Sequence, residues 1–301
     1  MRLQISDNIS IMFTEQGFTY SNWLLIDDDV HAVIDTGLDR EGLQDIDPRS
    51  IDLVINSHYH IDHTRGNNLF PNAQIAIYKS EIAPLRSKTE YAVRNSLDEW
   101  ERLMPGVDFI SNHREMRFPG SGSIKPLDNG KEIIPLYDGQ IIDFGRTKAE
   151  VLLTPGHTAG HCCFLFPDQD FIFCSDICLT RAGPWYGEHL ADPSEMMRSI
   201  DRIIGIKPKR IVSSHIHEVV EDPIPRLAEF KSRIPMREER LWKYVKENPC
   251  DIHELAGANL IYRSHPTVFE EFWEKLMLQK HLAHLKQQGL VIQDGDFFTG
   301  I

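Results

Sequence analysis

Cysteine is scarce in this chain, long apolar runs are missing and positive charge is in deficit; each absence narrows what the protein can be. The five cysteines, Cys162, Cys163, Cys174, Cys178 and Cys250, are odd in number. They lack the paired spacing of a disulfide framework, which fits a reducing compartment and thiols that fill a core. No stretch approaches the roughly 20 apolar residues needed to cross a bilayer. The opening Met1-Arg2-Leu3-Gln4-Ile5-Ser6-Asp7 moves straight into alternating, strand-like sequence without a signal-peptide apolar block, so the expected location is the cytoplasm. No internal repeat or low-complexity tract is present.

The charge deficit is uneven. The 32 Lys+Arg against 45 Asp+Glu give −13 over 301 residues. Residues 224–301 hold 11 of each sign, so residues 1–223 hold 21 against 34 and carry the whole excess. Nucleic-acid affinity is dominated by phosphate neutralisation, so an acidic region of this kind disfavours a nucleic-acid substrate and points to a small molecule. With 41% hydrophobic and 26% charged residues the composition is that of an ordinary globular protein long enough to bury a substantial core.

What is abundant is histidine at the ends of apolar runs. Ile51-Asp52-Leu53-Val54-Ile55 leads into His58-Tyr59-His60-Ile61-Asp62-His63, three imidazoles and a carboxylate in one turn. Imidazole nitrogen and carboxylate oxygen are the usual ligands of zinc and similar divalent ions. One turn cannot enclose an ion with four residues, so further ligands must come from elsewhere. Three tips offer them: Thr154-Pro155-Gly156-His157 after Val151-Leu152-Leu153, Ser175-Asp176 after Phe171-Ile172-Phe173-Cys174, and Ser213-Ser214-His215 after Arg210-Ile211-Val212. In the first, Pro and Gly make a tight turn that thrusts His157 outward.

Two regimes divide the chain. Up to about residue 220, ten short β-rich runs between Ile9 and Val212 alternate with a few helical pieces, which predicts a layered sheet protein. Residues 81–130 break the pattern with a polar, partly helical stretch ending in Phe118-Pro119-Gly120-Ser121-Gly122-Ser123, either a lid beside the site or an inert insertion. From Pro223 the chain turns helical. Pro223 and Pro225 suit a helix start, and Pro235 is expected to stop or kink that helix. A second amphipathic segment runs over 266–288, with Gly289 at its C-terminal cap, and Asp294-Gly295-Asp296 reads as the turn of a small hairpin. Helices followed by a hairpin predict a winged-helix-like domain over 223–301 behind a catalytic domain over 1–222. Its balanced charge argues for packing or homodimerisation over DNA binding.

Taken in order, HYHIDH, TPGHTAGH, CSD and SSH, with Ile34-Asp35-Thr36-Gly37 before them, resemble the metallo-β-lactamase-fold superfamily over residues 1 to about 220. The resemblance implies an αββα sandwich of the α/β class with a two-metal site on one edge. By it, His58, His60 and His157 hold one ion, Asp62, His63 and His215 the other, and Asp176 bridges them; Asp35 orients a ligand histidine. Two divalent ions, zinc first with iron or manganese as alternatives, share a water and drop its pKa toward neutrality, so that hydroxide is the nucleophile and Asp62 assists proton transfer. No serine or cysteine nucleophile is then needed, and Cys174 or Cys178 is at most a minor metal contact. His60 stands where flavodiiron relatives place a Glu, which favours hydrolysis over redox chemistry.

Departures from the pattern leave some positions open. Ser213-Ser214-His215-Ile216-His217 replaces the usual Pro-Gly-His turn, making His217 a rival to His215. Arg65 follows the hexad where relatives carry a small residue, and His161 reads as a packing or supporting residue more than a ligand. The tail, from Arg237-Glu238-Glu239-Arg240-Leu241 through Ile252-His253-Glu254-Leu255-Ala256 to His281–Gly289, is similar to that of β-lactamase-like endoribonucleases, and helical tails also occur in the glyoxalase II branch. The function expected from the resemblance is hydrolysis of a small acyl compound, a thioester, ester or lactone. A single-strand endoribonuclease and an iron-dependent redox enzyme of the same fold are the alternatives.

Overall fold

The strands are gathered into two facing sheets in the computed structural model, which describes residues 1–14, 21–38, 43, 46–115 and 130–301. The first sheet runs in chain order through β1 (Arg2–Ser6), β2 (Ile9–Met12), β3 (Trp23–Ile26), β4 (Ala32–Ile34), β5 (Leu53–Asn56), β6 (Gln74–Tyr78) and β7 (Ile133–Leu136). Its pairs are antiparallel as far as β4 and parallel from there on. The second, also in chain order, holds β8 (Ile141–Asp143), β9 (Lys148–Leu153), β10 (Cys162–Phe166), β11 (Phe171–Phe173), β12 (Arg210–Val212) and β13 (Val220–Glu221). Only its β11–β12 pair is parallel.

Side chains alternate across each strand, and here both faces are buried. Leu24 and Ile26 of β3 point to the layer between the sheets, where they meet Phe164 of β10 and Phe171 and Phe173 of β11. Trp23 and Leu25 point the other way, under Tyr59, Phe70 and Leu85. Ile172 of β11 does the same on the second sheet, under Met196, Ile200 and Ile203 of α6 (Pro193–Ile206). The result is the expected αββα sandwich.

The shorter helices are α1 (Ile61–Thr64), α2 (Ile82–Arg86), α3 (Lys88–Arg94), α4 (Trp100–Leu103) and α5 (Phe109–Glu115). α2 to α5 occupy the described part of the 81–130 stretch; the Gly/Ser/Pro-rich run from Phe118 to Ser123 lies outside the described residues. Beyond β13 come α7 (Ile224–Glu247), α8 (Ile252–Gly257), α9 (Val268–Gln287) and the hairpin of β14 (Val291–Asp294) with β15 (Phe297–Gly300). Capping boxes start α8, from Asp251 and Glu254, and α9, from Thr267 and Glu270, and Gly289 follows α9 at φ +72°. No helix among the described residues is long and apolar enough to cross a membrane.

Pro235 does not stop α7. The helix passes through it from Ile224 to Glu247, although proline removes one backbone donor. Packing on both sides of the proline outweighs that loss. Leu227, Phe230 and Ile234 cover the outer face of the second sheet, while Leu241 and Val245 enter a separate cluster with α8, α9 and the hairpin. That cluster also takes in Trp100 and Leu103 of α4, and the buried Lys275 of α9 donates to the Leu103 carbonyl at 2.8 Å. α7 is therefore one rod shared by two cores. Thermal unfolding followed by circular dichroism is expected to show one transition, which Leu241→Ala lowers as a whole by about 2–5 kcal/mol. A variant that melts the C-terminal helices alone would contradict this.

Candidate metal centre

The catalytic-type side chains stand where strands end. β5 delivers His58 and His60 and then α1, which carries Asp62 and His63; the β9–β10 turn delivers His157; Asp176 follows β11 and His215 follows β12. Buried side-chain hydrogen bonds hold the first of these tips. Asn56 and Asn67 pair with each other, Asn56 Nδ2 donates to the His63 carbonyl at 3.0 Å, and Thr64 Oγ1 donates to the His60 carbonyl at 2.9 Å. Gly37 lies so close to this turn that a Cβ there would stand 2.0 Å from the Asp62 carbonyl oxygen. The Ile34-Asp35-Thr36-Gly37 run thus needs glycine for backbone approach.

His157 is thrust out as expected. Gly156 takes φ +127° against the start of α6, where a Cβ would meet Met196 N at 2.3 Å. The other tips are tied together across the sandwich edge. Asn22 Nδ2 donates to the Ser213 and Ile216 carbonyls on either side of His215, and Ser57 Oγ meets Ser175 Oγ at 2.7 Å.

Two groups of side-chain atoms converge, His58 with His60 and His157, and Asp62 with His63, Asp176 and His215. In the first, His58 Nε2, His60 Nδ1 and His157 Nε2 stand 3.0–3.2 Å apart in a triangle. In the second, His63 Nε2 and His215 Nε2 lie 3.1 and 3.2 Å from Asp176 Oδ1, and 3.4 and 3.5 Å from Asp62 Oδ2. Asp176 Oδ2 turns the other way, 3.2 Å from His157 Nε2. One carboxylate therefore faces both groups, an oxygen to each.

Hydrogen bonds on the far side of the rings set their tautomers. His157 Nδ1 is 3.0 Å from the Trp185 carbonyl, which only accepts, so Nδ1 carries the proton and Nε2 turns a lone pair inward. His63 Nδ1 donates to Asp35 Oδ2 at 2.8 Å, and Asp35 also accepts from Ser57 N and Ser57 Oγ. Asp35 is thus a buried anchor for His63. His161 is not in either group: its Nδ1 reaches the Thr154 carbonyl at 3.1 Å and its Nε2 accepts the Asp176 amide at 3.1 Å, so it supports the loop of Asp176.

Electrostatics separate the two groups. Burial, reinforced by the neighbouring imidazoles, holds His58 and His60 well below the usual histidine range, and burial lowers His157. Burial also acts on His63 and His215, but Asp176 and Asp62 overcome it and raise both. Asp176 is held well below the carboxylate range, against its burial, by His215, His63 and His157.

This geometry fits divalent ions. Ligands on a tetrahedral ion with bonds of about 2.0–2.1 Å stand about 3.3 Å from one another, close to the spacings in both groups. His63 Nε2 and Asp176 Oδ1 are also buried without a hydrogen-bond partner although they face each other at 3.1 Å. Two such atoms are costly to bury unless something lies between them.

Several expectations are sharpened. His217 is exposed and rests on Phe13 at 5.7 Å between ring centroids, away from both groups. Cys174 and Cys178 stay outside both groups, and burial pushes their thiols up, Cys178 to about 12. Neither sulfur belongs to the metal set. Sequence reasoning passed over Trp185, whose ring stands 5.2 and 5.6 Å from the rings of His157 and His60. It also passed over two buried acids behind Tyr59. Glu81 accepts from the Tyr59 and Gly160 amides, and Glu188 accepts from the Tyr59 hydroxyl at 3.0 Å. Glu81 follows the end of β6 by three residues, as Asp176 follows β11, but turns under Tyr59 and away from both groups; Glu188 lies in a loop with no local pattern to mark it.

Burial raises Glu81 to about 7 and Glu188 to about 8, each from an ordinary 4.5. A carboxyl whose folded pKa is raised binds its proton more tightly in the fold, so its contribution is whole below about 4.5 and is lost as pH rises through about 8. Relative to Glu188→Gln, the wild-type protein is expected to lose on the order of a few kcal/mol more stability between pH 5 and 8, the histidines held low by burial contributing equally to both. Melting temperatures across that window check it; an unchanged slope in the variant would refute it.

A family model described as metallo-beta-lactamase superfamily matches residues 16–215. A crystal structure of a metallo-beta-lactamase family protein from Thermus thermophilus superposes with a TM-score of 0.81 at 19% identity, covering 99% of this chain and 100% of that one. Human acyl-coenzyme A thioesterase MBLAC2 is 25% identical over 184 residues, 55% of this chain and 60% of that protein. A hydroxyacylglutathione hydrolase from Methylococcus capsulatus is 26% identical over 174 residues, 57% of this chain and 51% of that protein. The chain spans less than two thirds of the length of either relative.

Proposed function

The chain belongs to the metallo-beta-lactamase superfamily, and from that premise we propose that it is a metal-dependent hydrolase of a small acyl compound, first a thioester, then an ester or lactone. The observation that carries this reading is Asp176, with one oxygen turned to three imidazoles and the other to a mixed His/Asp group. His58, His60 and His157 would hold one ion and Asp62, His63 and His215 the other, with Asp176 common to both. When bound, two divalent ions, zinc first, supply an acidified water as nucleophile and polarise a carbonyl oxygen.

The chain's own residues do the rest. His157 and His63 are fixed as lone-pair donors by the Trp185 carbonyl and by Asp35. Asp62 is set between His63 and His215 and keeps 18% of its side chain exposed, so its carboxylate can accept a proton from a water on the substrate side. His161 and the serine pair Ser57 and Ser175 hold the loops in register. The thiols of Cys174 and Cys178 are protonated and buried, so neither serves as a nucleophile. Relatives named as an acyl-coenzyme A thioesterase and a hydroxyacylglutathione hydrolase support the thioester, and the acidic charge of residues 1–223 weighs against a nucleic-acid substrate. We take residues 1–222 as the catalytic unit and 223–301 as a helical, winged-helix-like one that works beside it.

Elemental analysis is expected to find two equivalents of divalent metal, with at least one lost in His58→Ala and in Asp176→Asn. Unchanged metal content in both variants would refute the site. Against a panel of thioesters, esters and lactones, Asp62→Asn is expected to lower kcat about 100-fold. Failure of the wild-type protein, loaded in turn with zinc, iron and manganese, to cleave any of the panel would refute the substrate class.

A further inference from the structure

Resting on the hydrolase reading, we propose that the acyl group selected here is apolar and flat, held against a tryptophan wall that begins at the histidines and is completed by α9. Trp185 touches the first histidine group, with its ring 5.2 Å from His157 and 5.6 Å from His60. Trp273 of α9 meets Trp185 edge to face at 6.2 Å and an angle of 90°. Phe269, one helical turn earlier and buried in the C-terminal core, backs Trp273 at 6.1 Å. On the far side of His60 stands Tyr59 at 4.7 Å, buried and with its hydroxyl on Glu188, so the wall ends at the histidines on that side.

Both tryptophans are half-buried, neither sealed in a core nor fully solvated. Edge-to-face indoles present a corner that matches a flat ring or a branched apolar group, whose own faces and edges complete the contact. The corner is rigid as well. Arg237 of α7 is buried and donates to the Ala182 and Pro184 carbonyls and to the Tyr186 hydroxyl, on both sides of Trp185 in sequence. A wall fixed before binding costs little conformational entropy when an acyl group settles on it. The carbonyl carbon of that group would lie toward the histidines and the leaving thiol or alcohol toward solvent.

Acetyl and phenylacetyl thioesters of one thiol separate this from the hydrolase reading. The zinc-loaded protein is expected to favour phenylacetyl in kcat/KM by at least about tenfold. Trp185→Ala and Trp273→Ala should each cut the phenylacetyl-to-acetyl ratio by about tenfold, and Trp273→Phe should restore most of it. Calorimetric binding of phenylacetate, which needs no turnover, should weaken by a similar factor in Trp273→Ala. Hydrolysis of both thioesters at equal kcat/KM, with ratios unchanged in the variants, would overturn the wall and leave the hydrolase standing. Phenylacetate binding that depends on Trp273, without cleavage of either thioester or of any ester or lactone of the panel under zinc, iron or manganese, would keep the wall and overturn the hydrolase. Phenylacetate binding unchanged in Trp273→Ala would count against the wall in either case.

Discussion

Everything in this molecule depends on forcing acceptor atoms together. Three imidazole nitrogens stand within 3.2 Å of one another, and beside them Asp176 Oδ1 is 3.1 and 3.2 Å from two more. Left to themselves, lone pairs and charges in a buried space repel or recruit water, and side chains with free rotamers would swing apart. The scaffold removes that freedom residue by residue. Asp35 holds His63, the Trp185 carbonyl holds His157, the Ser57 hydroxyl reaches His58 Nδ1 at 3.0 Å, and His161 holds the amide of Asp176. Each of these partners is itself buried or is main chain. Ligand-type atoms brought within van der Waals reach and fixed in orientation from behind are what a pre-organised metal centre requires.

Sheet topology explains why four distant segments can meet. β4, β5 and β6 run parallel, and so do β11 and β12, so the ends of these strands accumulate on one edge of each sheet. The two sheets share a core in which Ile34 and Ile55 meet Phe173 and Val212, the residues just before the tips. Burying those last apolar residues between the sheets therefore fixes the polar residues that follow. Packing and site geometry are the same constraint seen from two sides, as the bonds from Asp35 N to the Ile55 carbonyl and from Cys174 N to the Val212 carbonyl make plain.

That coupling is also why the His/Asp cluster is legible in the sequence. An apolar run followed by a ligand-type residue is a local pattern, and the sheet turns it into a shared edge without further information. His58, His60, Asp62, His63, His157, Asp176 and His215 all belong to such runs, and the structure brings all seven together. Where a residue owes its place to tertiary packing, the sequence was mute. Trp185, Glu81 and Glu188 lie in loops or on a short helical turn with no periodic signal, and their burial comes from elements far away in the chain. Pro235 lies inside α7 without ending it for a related reason. A proline's cost is local, whereas the two apolar stripes that carry α7 past it lie in different cores.

The C-terminal helices can be weighed in the same terms. α7 and α9 carry a chain of polar contacts in which Glu238 accepts from His281 and His284, His281 Nε2 meets the Tyr186 hydroxyl at 2.7 Å, and Arg237 donates to that same hydroxyl. Tyr186 is the neighbour of Trp185, whose carbonyl sets the tautomer of His157. A buried guanidinium satisfied by main-chain carbonyls is expensive to displace, because removing it would strand the carbonyls of Ala182 and Pro184. The loop beside the histidines is therefore held from behind by α7, and α9 adds Trp273 at its mouth. On this account residues 224–301 are part of how the centre is built, and their balanced charge follows from their role: they meet the rest of the chain through apolar stripes and a few buried polar contacts, not through a field.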